Sequence, residues 1–343
     1  MSIRIRPAVL ESDSTELIDL FRRHLTALSD RRRFEWLYFQ SPCGSARAWV
    51  ASNDADGEVV GAAAAFPRKI HLAGAEMSGW VLGDFCLDER FRSLGPAVQL
   101  QRACLEAVTS PFEFCYDFPS QSMMAVYKRL GVHQTGRVVR WAKPLRVERQ
   151  LERIIRSRKI AKTLGVIGNA VLAQRGYKGE KNGCEVTLHT GPCGEEFSTL
   201  DRKLASGPGV RLARPAEYLN WRYLAHPSQT HEILTARREG ALLGYVVLIG
   251  DPSIASIVDL LAVEEPAIVA LLLSAAVERI RRGGAAAANL IAGDGHPLNK
   301  IFERAGFRRR EASPFVVCMG RNAMVTETSF QKSWYLMHGD RDS

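Results

Sequence analysis

The sequence predicts an α+β protein, a mixed α/β sheet with crossover helices, built from two copies of one unit in tandem. Apolar segments of strand length alternate with amphipathic segments of helix length along most of the chain. One strand runs through a basic, glycine-containing turn directly into a helix, and several short groups of residues from the first half return in the same order in the second half. The alternation indicates the fold class, and the recurrence indicates the duplication.

The first half of the chain contains every element of one unit. Acidic and hydroxyl residues at 11–15 offer N-caps for an opening helix, and a hairpin signal at 53–57 joins two strands. Gly131 ends a later short helix over residues 123–130. The predicted strands cover residues 3–5, 46–52, 59–66, 77–87, 112–118 and 138–145.

The turn that precedes the central helix has the composition of an anion site. The N–H groups at a helix N-terminus lack partners within the helix and carry the positive end of its dipole. In the pattern Arg92-x-x-Gly95-x-Ala97, the glycine lets a phosphate approach the backbone and the alanine keeps the next position small. Pro96 suits a first helical turn, and Arg90 and Arg92 can add charge-assisted hydrogen bonds.

This pattern, placed between a strand and a helix, resembles the acyl-CoA pyrophosphate loop of the GNAT (GCN5-related N-acetyltransferase) superfamily. The resemblance implies a GNAT-like fold and acetyl-CoA, or another acyl-CoA, as co-substrate, with no metal. It also implies that a bulged strand before the loop polarises the thioester carbonyl through a backbone N–H, here of Cys86 or Leu87. The residues expected to bind the co-substrate are Cys86, Leu87, Arg90, Arg92, Ser93, Leu94, Gly95, Pro96 and Ala97.

Three further residues are candidates for proton transfer, which amine acetylation requires at both the amine and the departing thiolate. Tyr127 stands where many members of the superfamily carry a proton-donating tyrosine, although Phe302 takes the same place in the second half and a core role stays open. Asp84, on the strand before the loop, and Asp117, at the end of the next strand, are the alternative general bases. Asp259 matches Asp84 in the second half, which favours a structural role for that pair.

The internal repeat rests on four matches that keep their order and rough spacing. They are Trp36, Tyr38 and Pro42 with Trp221, Tyr223 and Pro227; Val60-Gly61 with Leu243-Gly244; Asp84 with Asp259; and Tyr127 and Gly131 with Phe302 and Gly306. The repeat predicts a GNAT domain with the acyl-CoA loop over residues 1–145, a basic helical linker over 146–182, and a second, degenerate GNAT-like domain with a C-terminal tail over 183–343.

The two copies differ at the turn before the helix. Where the first copy carries Arg90 and Arg92, the second carries Glu264 and Glu265, and the glycine is absent. Two carboxylates at a helix N-terminus suit the helix dipole but repel a pyrophosphate. We therefore expect one acyl-CoA site, in the first copy.

Composition is consistent with an ordinary folded, cytoplasmic protein. The chain has 343 residues, of which 46% are apolar, with a net charge of +9 that suits an anionic ligand such as CoA. Its seven cysteines show no Cys-x-x-Cys or Cys/His ligand spacing, so reduced, buried thiols are expected. No His is paired in sequence with Cys86 or Cys115, which disfavours covalent catalysis. Neither a signal peptide nor a membrane span is predicted.

The C-terminal tail combines an aromatic pair with acidic residues. Because Trp334 and Tyr335 favour burial, we expect the tail to fold back on the protein. It then either presents Asp340 or Asp342 to a cationic amine in the acceptor cleft, or docks on the second domain or a dimer partner.

The predicted function is acyl transfer, most simply acetyl transfer, directly to an amine on a small molecule, sugar or peptide. One alternative is a transferase that takes a longer acyl-CoA, an acyl-carrier protein or an aminoacyl-tRNA as donor, which the basic segment over residues 146–162 would favour. A second alternative is a non-catalytic module that binds CoA or a nucleotide. Charge alone does not require nucleic acid as a partner, and the sequence leaves open whether the chain forms a homodimer.

Overall fold

The computed structural model describes residues 2–72, 74–109, 114–146, 183–207, 209–249, 254–320 and 334–341. The helices are α1 (Leu10–His24), α2 (Arg31–Tyr38), α3 (Leu94–Val108), α4 (Gln121–Arg129), α5 (Glu195–Lys203), α6 (Ala216–Leu219), α7 (Pro266–Arg282) and α8 (Asn299–Arg304). The strands are β1 (Ile3–Pro7), β2 (Arg47–Asn53), β3 (Val59–Leu72), β4 (Ala75–Leu87), β5 (Phe114–Asp117), β6 (Gly136–Pro144), β7 (Cys184–Leu188), β8 (Val210–Leu212), β9 (His231–Arg238), β10 (Ala241–Ile249), β11 (Ile254–Ala262), β12 (Ala287–Gly293), β13 (Arg308–Met319) and β14 (Trp334–Tyr335). A π-helical turn, Asn220–Leu224, continues α6, and 3₁₀ turns cover Glu89–Phe91 and His338–Asp340.

The strands form one continuous mixed sheet in the order β1-β2-β3-β4-β5-β13-β6-β12-β11-β10-β9-β7. The pairs β4–β5 and β11–β12 are parallel, because a helix crosses over between their members, whereas the sequential hairpin pairs are antiparallel. The short strand β8 pairs with both β3 and β14. The mixed sheet and its crossover helices confirm the predicted fold class. The predicted linker over residues 146–182 lies outside the described residues except for Arg146.

The order of elements in the first half returns in the second half. In each half a helix follows the opening strand, three antiparallel strands follow, and a long helix then leads to a parallel strand, a short helix and a last strand. The last strands are exchanged: β13 pairs with β5 of the first half, and β6 pairs with β12 of the second half. The two central strands β6 and β13 also pair with each other. Each half of the sheet is therefore completed by a strand from the other half.

The spacing of apolar residues in α3 determines which face of this helix packs against the sheet. Its apolar residues recur at helical spacing, so that Leu100, Cys104 and Val108 face the sheet and are fully buried. They belong to a cluster that also contains Tyr127 of α4 and Val316 of β13. A larger cluster on the other face contains residues of both halves. Within the described ranges, no helix combines the length and apolar character needed to cross a membrane.

A reciprocal contact between two tryptophans joins the halves. Trp36 donates from Nε1 to the carbonyl oxygen of Trp221, and Trp221 donates from Nε1 to the carbonyl oxygen of Trp36, both over 2.9 Å. The two indole rings are stacked, with centroids 4.9 Å apart. These are the two residues that the sequence repeat matches. A self-complementary contact of this kind is what a local two-fold relation between the halves produces.

The C-terminal tail folds back between the halves. Trp334 and Tyr335 form β14 beside β8, and the following turn is buried. The carboxylate of Asp340 accepts two hydrogen bonds from Nη2 of Arg214, at 2.7 and 2.9 Å, and Tyr116 donates to the Asp340 carbonyl oxygen. Burial raises the pKa of Asp340 to about 6, although Arg214 favours its charged form. Asp340 therefore pairs with an interior arginine and does not meet an acceptor amine, which corrects that expectation; Asp342 lies outside the described residues.

We expect the tryptophan contact to contribute directly to stability. Trp36→Phe or Trp221→Phe removes one Nε1 donor and leaves the facing carbonyl buried without it, so each change should lower the free energy of unfolding by about 1–3 kcal/mol. Trp141→Phe is the matched control, because Trp141 is equally buried and its Nε1 has no partner among the described residues. Urea unfolding measures all three. A loss in the first two variants no larger than in the control would contradict the prediction.

Four partly or fully buried histidines should make stability depend on pH. Burial lowers the pKa of His226, His231 and His338 to about 4 and that of His296 to about 3. Between about pH 6.5 and pH 4 these four histidines bind more protons in the unfolded chain than in the native state. They outnumber the one opposing group named above, Asp340, so the free energy of unfolding should fall as the pH falls. Urea unfolding across this range measures the slope. His226→Gln or His231→Gln should reduce the slope and exposed His133→Gln should not; identical slopes in all variants would overturn the assignment.

Candidate functional site

A cleft opens in the first half where β4 and β5 separate. These strands pair only at Trp80 with Cys115 and Val81 with Tyr116. Beyond these pairs, the end of β4, the start of α3 and the segment from β5 to α4 surround a cavity of about 670 Å³, which we name the first-half cleft. It brings together eight of the predicted site residues, namely Asp84, Cys86, Leu87, Arg92, Ser93, Leu94, Ala97 and Asp117.

Strand β4 is bulged where it lines this cleft. Its pairing with β3 shifts between two positions, since Ala62 lies opposite Cys86 and Ala64 lies opposite Gly83. Asp84, inside the bulge, has a φ of 44°, which is unusual for a residue other than glycine. A bulge interrupts the ladder and re-aims the groups that follow it. Cys86 and Leu87, the predicted carbonyl-polarising residues, come directly after the bulge and line the cleft.

Two neighbouring side chains bind the carboxylate of Asp84. Its carboxylate accepts hydrogen bonds from both Nη atoms of Arg33, at 3.0 and 2.7 Å, and from the Tyr38 hydroxyl at 3.0 Å. Burial raises the pKa of Tyr38 well above its usual value, so its hydroxyl stays a donor. Although Asp84 lines the cleft, both oxygens of its carboxylate already accept hydrogen bonds from Arg33 or Tyr38.

The second half repeats this carboxylate site. Asp259 on β11 accepts hydrogen bonds from Nε of Arg214 at 2.9 and 3.0 Å and from the Tyr223 hydroxyl at 2.9 Å. Tyr223 matches Tyr38, and Asp259 matches Asp84, in the sequence repeat. Strand β11 is also bulged beside Asp259, because its register against β10 shifts between Val247 and Leu248. Because the same carboxylate–tyrosine–arginine arrangement occurs in both halves, it belongs to the framework of each bulged strand.

Tyr127 and Asp117 form a second polar group at the edge of the cleft. The Tyr127 hydroxyl donates to Oδ2 of Asp117 at 2.7 Å and accepts from Nε2 of Gln101 at 3.1 Å. Asp117 and Gln101 line the cleft, whereas Tyr127 is fully buried behind them. Burial, reinforced by Asp117, raises the pKa of Tyr127 well above its usual value. The phenol therefore stays protonated and orients the Asp117 carboxylate.

The predicted anion loop forms the mouth of the cleft. Helix α3 begins at Leu94, and the Ser93 side chain makes no capping hydrogen bond. A Cβ added to Gly95 would meet no atom within 4 Å, so the helix N-terminus faces open space there. Arg92 lines the cleft and donates from Nη2 to the Leu87 carbonyl oxygen at 3.2 Å. The exposed amide groups and the guanidinium together suit an anion.

Arg90, which was expected to bind the same anion, lies outside the cleft. Its guanidinium binds Asp88 at 3.0 Å and Glu58 at 2.8 Å, on the opposite side of the turn. The side chain borders a separate surface hollow with Asn53 and Asp54. The sequence places Arg90 in the turn but does not indicate its partners. Glu58 comes from the loop between β2 and β3, and Asp88 directly follows β4.

The thiols near the cleft are poorly suited to nucleophilic attack. Burial raises the pKa of Cys86 to about 12 and raises that of Cys115 well above its usual value. Both side chains therefore remain thiols at neutral pH, and the thiolate is the reactive form.

Arg341, in the wall of the cleft, is not predicted from the sequence. This tail residue lines the first-half cleft, and its guanidinium carbon lies 5.5 Å from the centre of the Phe118 ring. Its carbonyl oxygen accepts a hydrogen bond from Arg222, which fixes the end of the tail. The aromatic pair at Trp334 indicated that the tail is buried, but no local pattern indicated which of its residues reaches the cleft.

Solved structures share this architecture. A GNAT acetyltransferase from Anabaena variabilis matches with a TM-score of 0.64 at 11% identity, over 92% of this chain and 72% of that chain. A tandem GNAT protein from the clavulanic acid biosynthesis pathway matches with a TM-score of 0.56 at 14% identity, over 92% and 98%. N-myristoyltransferase from Saccharomyces cerevisiae, with bound myristoyl-CoA, matches with a TM-score of 0.58 at 10% identity, over 92% and 80%. The chain has a tandem GNAT fold.

This assignment to the GNAT fold rests on structure, since no family model and no curated protein matches the sequence. Within the fold, the two long helices that follow the bulged strands differ at their N-termini. Glu264 and Glu265 precede α7, where Arg92 and Ser93 precede α3. Glu265 pairs with Arg238 at 2.9 Å. The same place in the fold is therefore basic in the first GNAT unit and acidic in the second.

Proposed function

We propose that the protein is an acyl-CoA-dependent N-acyltransferase, most simply an N-acetyltransferase, with one co-substrate site in the first-half cleft. The observation that carries the proposal is the open N-terminus of α3, where Gly95 leaves space and Arg92 stands beside it. The likeness to a fold that holds myristoyl-CoA in one solved structure adds support. Residues 1–145 would form the catalytic unit and residues 183–343 its partner unit, with a small-molecule, sugar or peptide amine as acceptor.

The chain's own groups account for the binding of an acyl-CoA. The pyrophosphate would lie at the N-terminus of α3, bound by the free amide groups around Leu94 and Gly95 and by the Arg92 guanidinium. The thioester would lie beside the bulge, where the backbone N–H of Cys86 or Leu87 would polarise its carbonyl. Arg90 takes no part in this proposal, because Asp88 and Glu58 already bind it.

The transfer needs a group that accepts a proton and returns it. The amine nitrogen attacks the thioester carbon, the C–S bond breaks, the amine gives a proton to the base, and the protonated base returns one to the departing thiolate. We assign Asp117 as the base, since its carboxylate lines the cleft and accepts hydrogen bonds from two neutral donors, the Tyr127 hydroxyl and the Phe118 N–H, whereas the Asp84 carboxylate is ion-paired with Arg33. Tyr127 acts through Asp117 as a positioning residue, with Gln101 fixing the phenol.

Binding of acetyl-CoA tests the site assignment without an acceptor. Gly95→Asp places a carboxylate in the open space before α3, so we expect acetyl-CoA affinity measured by calorimetry to fall at least about tenfold through charge repulsion. The fold should tolerate the change, since no atom lies within 4 Å of the added Cβ. Gly194→Asp is the matched control, because Gly194 precedes α5 with equally open space around it. Equal affinity in both variants would defeat the assignment.

The acid–base assignment predicts two separable effects. Asp117→Asn should lower kcat by about 10²–10⁴-fold, the usual contribution of a general base, while acetyl-CoA affinity stays unchanged. Tyr127→Phe removes a hydrogen bond that favours the charged carboxylate, so the acidic limb of kcat/KM should move to higher pH. Release of free CoA thiol with a panel of amines measures both.

Tyr116→Phe is the control for these measurements. Tyr116 is an equally buried tyrosine next to Asp117, and its hydroxyl bonds to the Asp340 carbonyl oxygen. Its replacement should leave the pH profile in place. A Tyr127→Phe profile that coincides with that of Tyr116→Phe would remove the positioning role.

A further inference from the structure

The first-half cleft is lined from both faces of the sheet. Along β5 the side chains alternate, so that Cys115 packs in the cluster that contains α3, whereas Tyr116 and Phe118 pack in the cluster that contains Trp334 of the tail. We name these two sides the α3 face and the tail face. The start of α3 and Arg341 of the tail both line the cleft. A ligand bound at the start of α3 therefore leaves the tail-face side of the cleft to a second substrate.

The backbone of Arg341 is anchored in the tail. Its N–H donates to the His338 carbonyl oxygen at 3.3 Å, and its own carbonyl oxygen accepts a hydrogen bond from Nη2 of Arg222 at 3.1 Å. The guanidinium lies over the Phe118 ring, 5.5 Å from the ring centre. This cation–π contact orients the guanidinium and leaves its N–H donors available for a ligand.

The guanidinium of Arg341 has no carboxylate partner among the residues that the structure describes. The neighbouring carboxylate of Asp340 binds Arg214, and the carboxylate of Asp84 in the cleft wall binds Arg33. Arg341 itself is partly buried. A partly buried cation without a counter-ion favours the binding of an anionic group, because charge-assisted hydrogen bonds then replace the water that burial removes.

Asp117 and Arg341 together indicate which charges an acceptor carries. Both contact Phe118, since Oδ1 of Asp117 accepts from the Phe118 N–H at 2.7 Å and Arg341 lies over the ring. As the assigned base, Asp117 takes the proton of the acceptor amine, which places that amine beside it. Arg341 can then bind an acidic group of the same molecule. A carboxylate suits a single guanidinium, because its one charge and two oxygens match the planar pair of N–H donors.

We propose that the acceptor is an amine that also carries a carboxylate, by class an amino acid or a short peptide, and that Arg341 binds this carboxylate. The inference rests on the acyl-CoA proposal and narrows it by naming the class of acceptor. Arg92, which also lines the cleft, stands directly before α3, where the pyrophosphate is proposed to lie. Arg341 is thereby left to the acceptor.

Matched pairs of acceptors test this proposal on the full-length chain. The panel contains amino acids, β-alanine and dipeptides, each with its carboxamide, and O-phosphoethanolamine as an amine with a phosphate. A carboxamide lacks the charge but has nearly the same shape, and its amine loses a proton more easily. It is therefore the better acceptor unless a cation binds the carboxylate. We expect kcat/KM, measured by release of CoA thiol from acetyl-CoA, to be at least about tenfold higher for an accepted acid than for its carboxamide.

Three variants locate the effect. Arg341→Gln removes the charge and keeps the anchored backbone, so KM for an accepted acid should rise about tenfold and the preference over the carboxamide should be lost, while acetyl-CoA affinity stays unchanged. Arg341→Lys keeps the charge without the paired donors and should retain part of the preference. Arg310→Gln is the matched control, because Arg310 is exposed on β13 and does not line the cleft; it should change neither quantity.

The possible outcomes separate this inference from the acyl-CoA proposal. Use of carboxamides or O-phosphoethanolamine as well as the acids would overturn the inference alone. So would calorimetry in which no acid of the panel binds the CoA-loaded protein at millimolar concentration. A loss of acetyl-CoA affinity in Arg341→Gln with the acid preference intact would assign Arg341 to the co-substrate and also overturn it. Failure of the unaltered protein to bind acetyl-CoA, measured without any acceptor, would instead remove the acyl-CoA proposal on which the inference rests.

Discussion

Antiparallel pairing of β6 with β13 in the middle of the sheet joins two halves that are far apart in the sequence. Because β13 also pairs with β5 and β6 with β12, neither half completes its own sheet. The reciprocal contact of Trp36 with Trp221 and the buried ion pair of Arg214 with Asp340 lie at the same junction. These contacts hold the two halves together.

The repeat could be predicted from the sequence, but the strand exchange could not. Trp36 and Asp84 have counterparts because the same local geometry recurs, and local geometry leaves a pattern of residue types. An apolar strand such as β6 has the same alternation whether its neighbour is β5 or β12, since both partners bury the same faces. The whole sheet decides which strand becomes the neighbour, and a local sequence pattern carries no information about the whole sheet.

The residues of the candidate site also form two groups, those whose position the sequence predicts and those whose position it does not. The position of Arg92, Ser93 and Gly95 at the start of α3 can be predicted, because the proposed anion site at a helix N-terminus is built from consecutive residues and backbone amides. Arg90 was assigned to the same site, yet Glu58, which comes from another loop, binds it. Arg341 reaches the cleft from the opposite end of the chain. Contacts between distant segments decide the role of a charged side chain, and these are absent from the spacing that a motif records.

The duplication separates what the fold requires from what a ligand requires. The bulged strand, its buried aspartate and the tyrosine that binds it occur in both halves, so they are explained by the framework alone. The helix N-termini that follow differ in charge, with Arg92 before one and Glu264 before the other. A carboxylate at that place is favourable for the helix itself, whereas an arginine is not. The unfavourable choice is therefore the one that needs an external cause, and the proposed acyl-CoA would supply it.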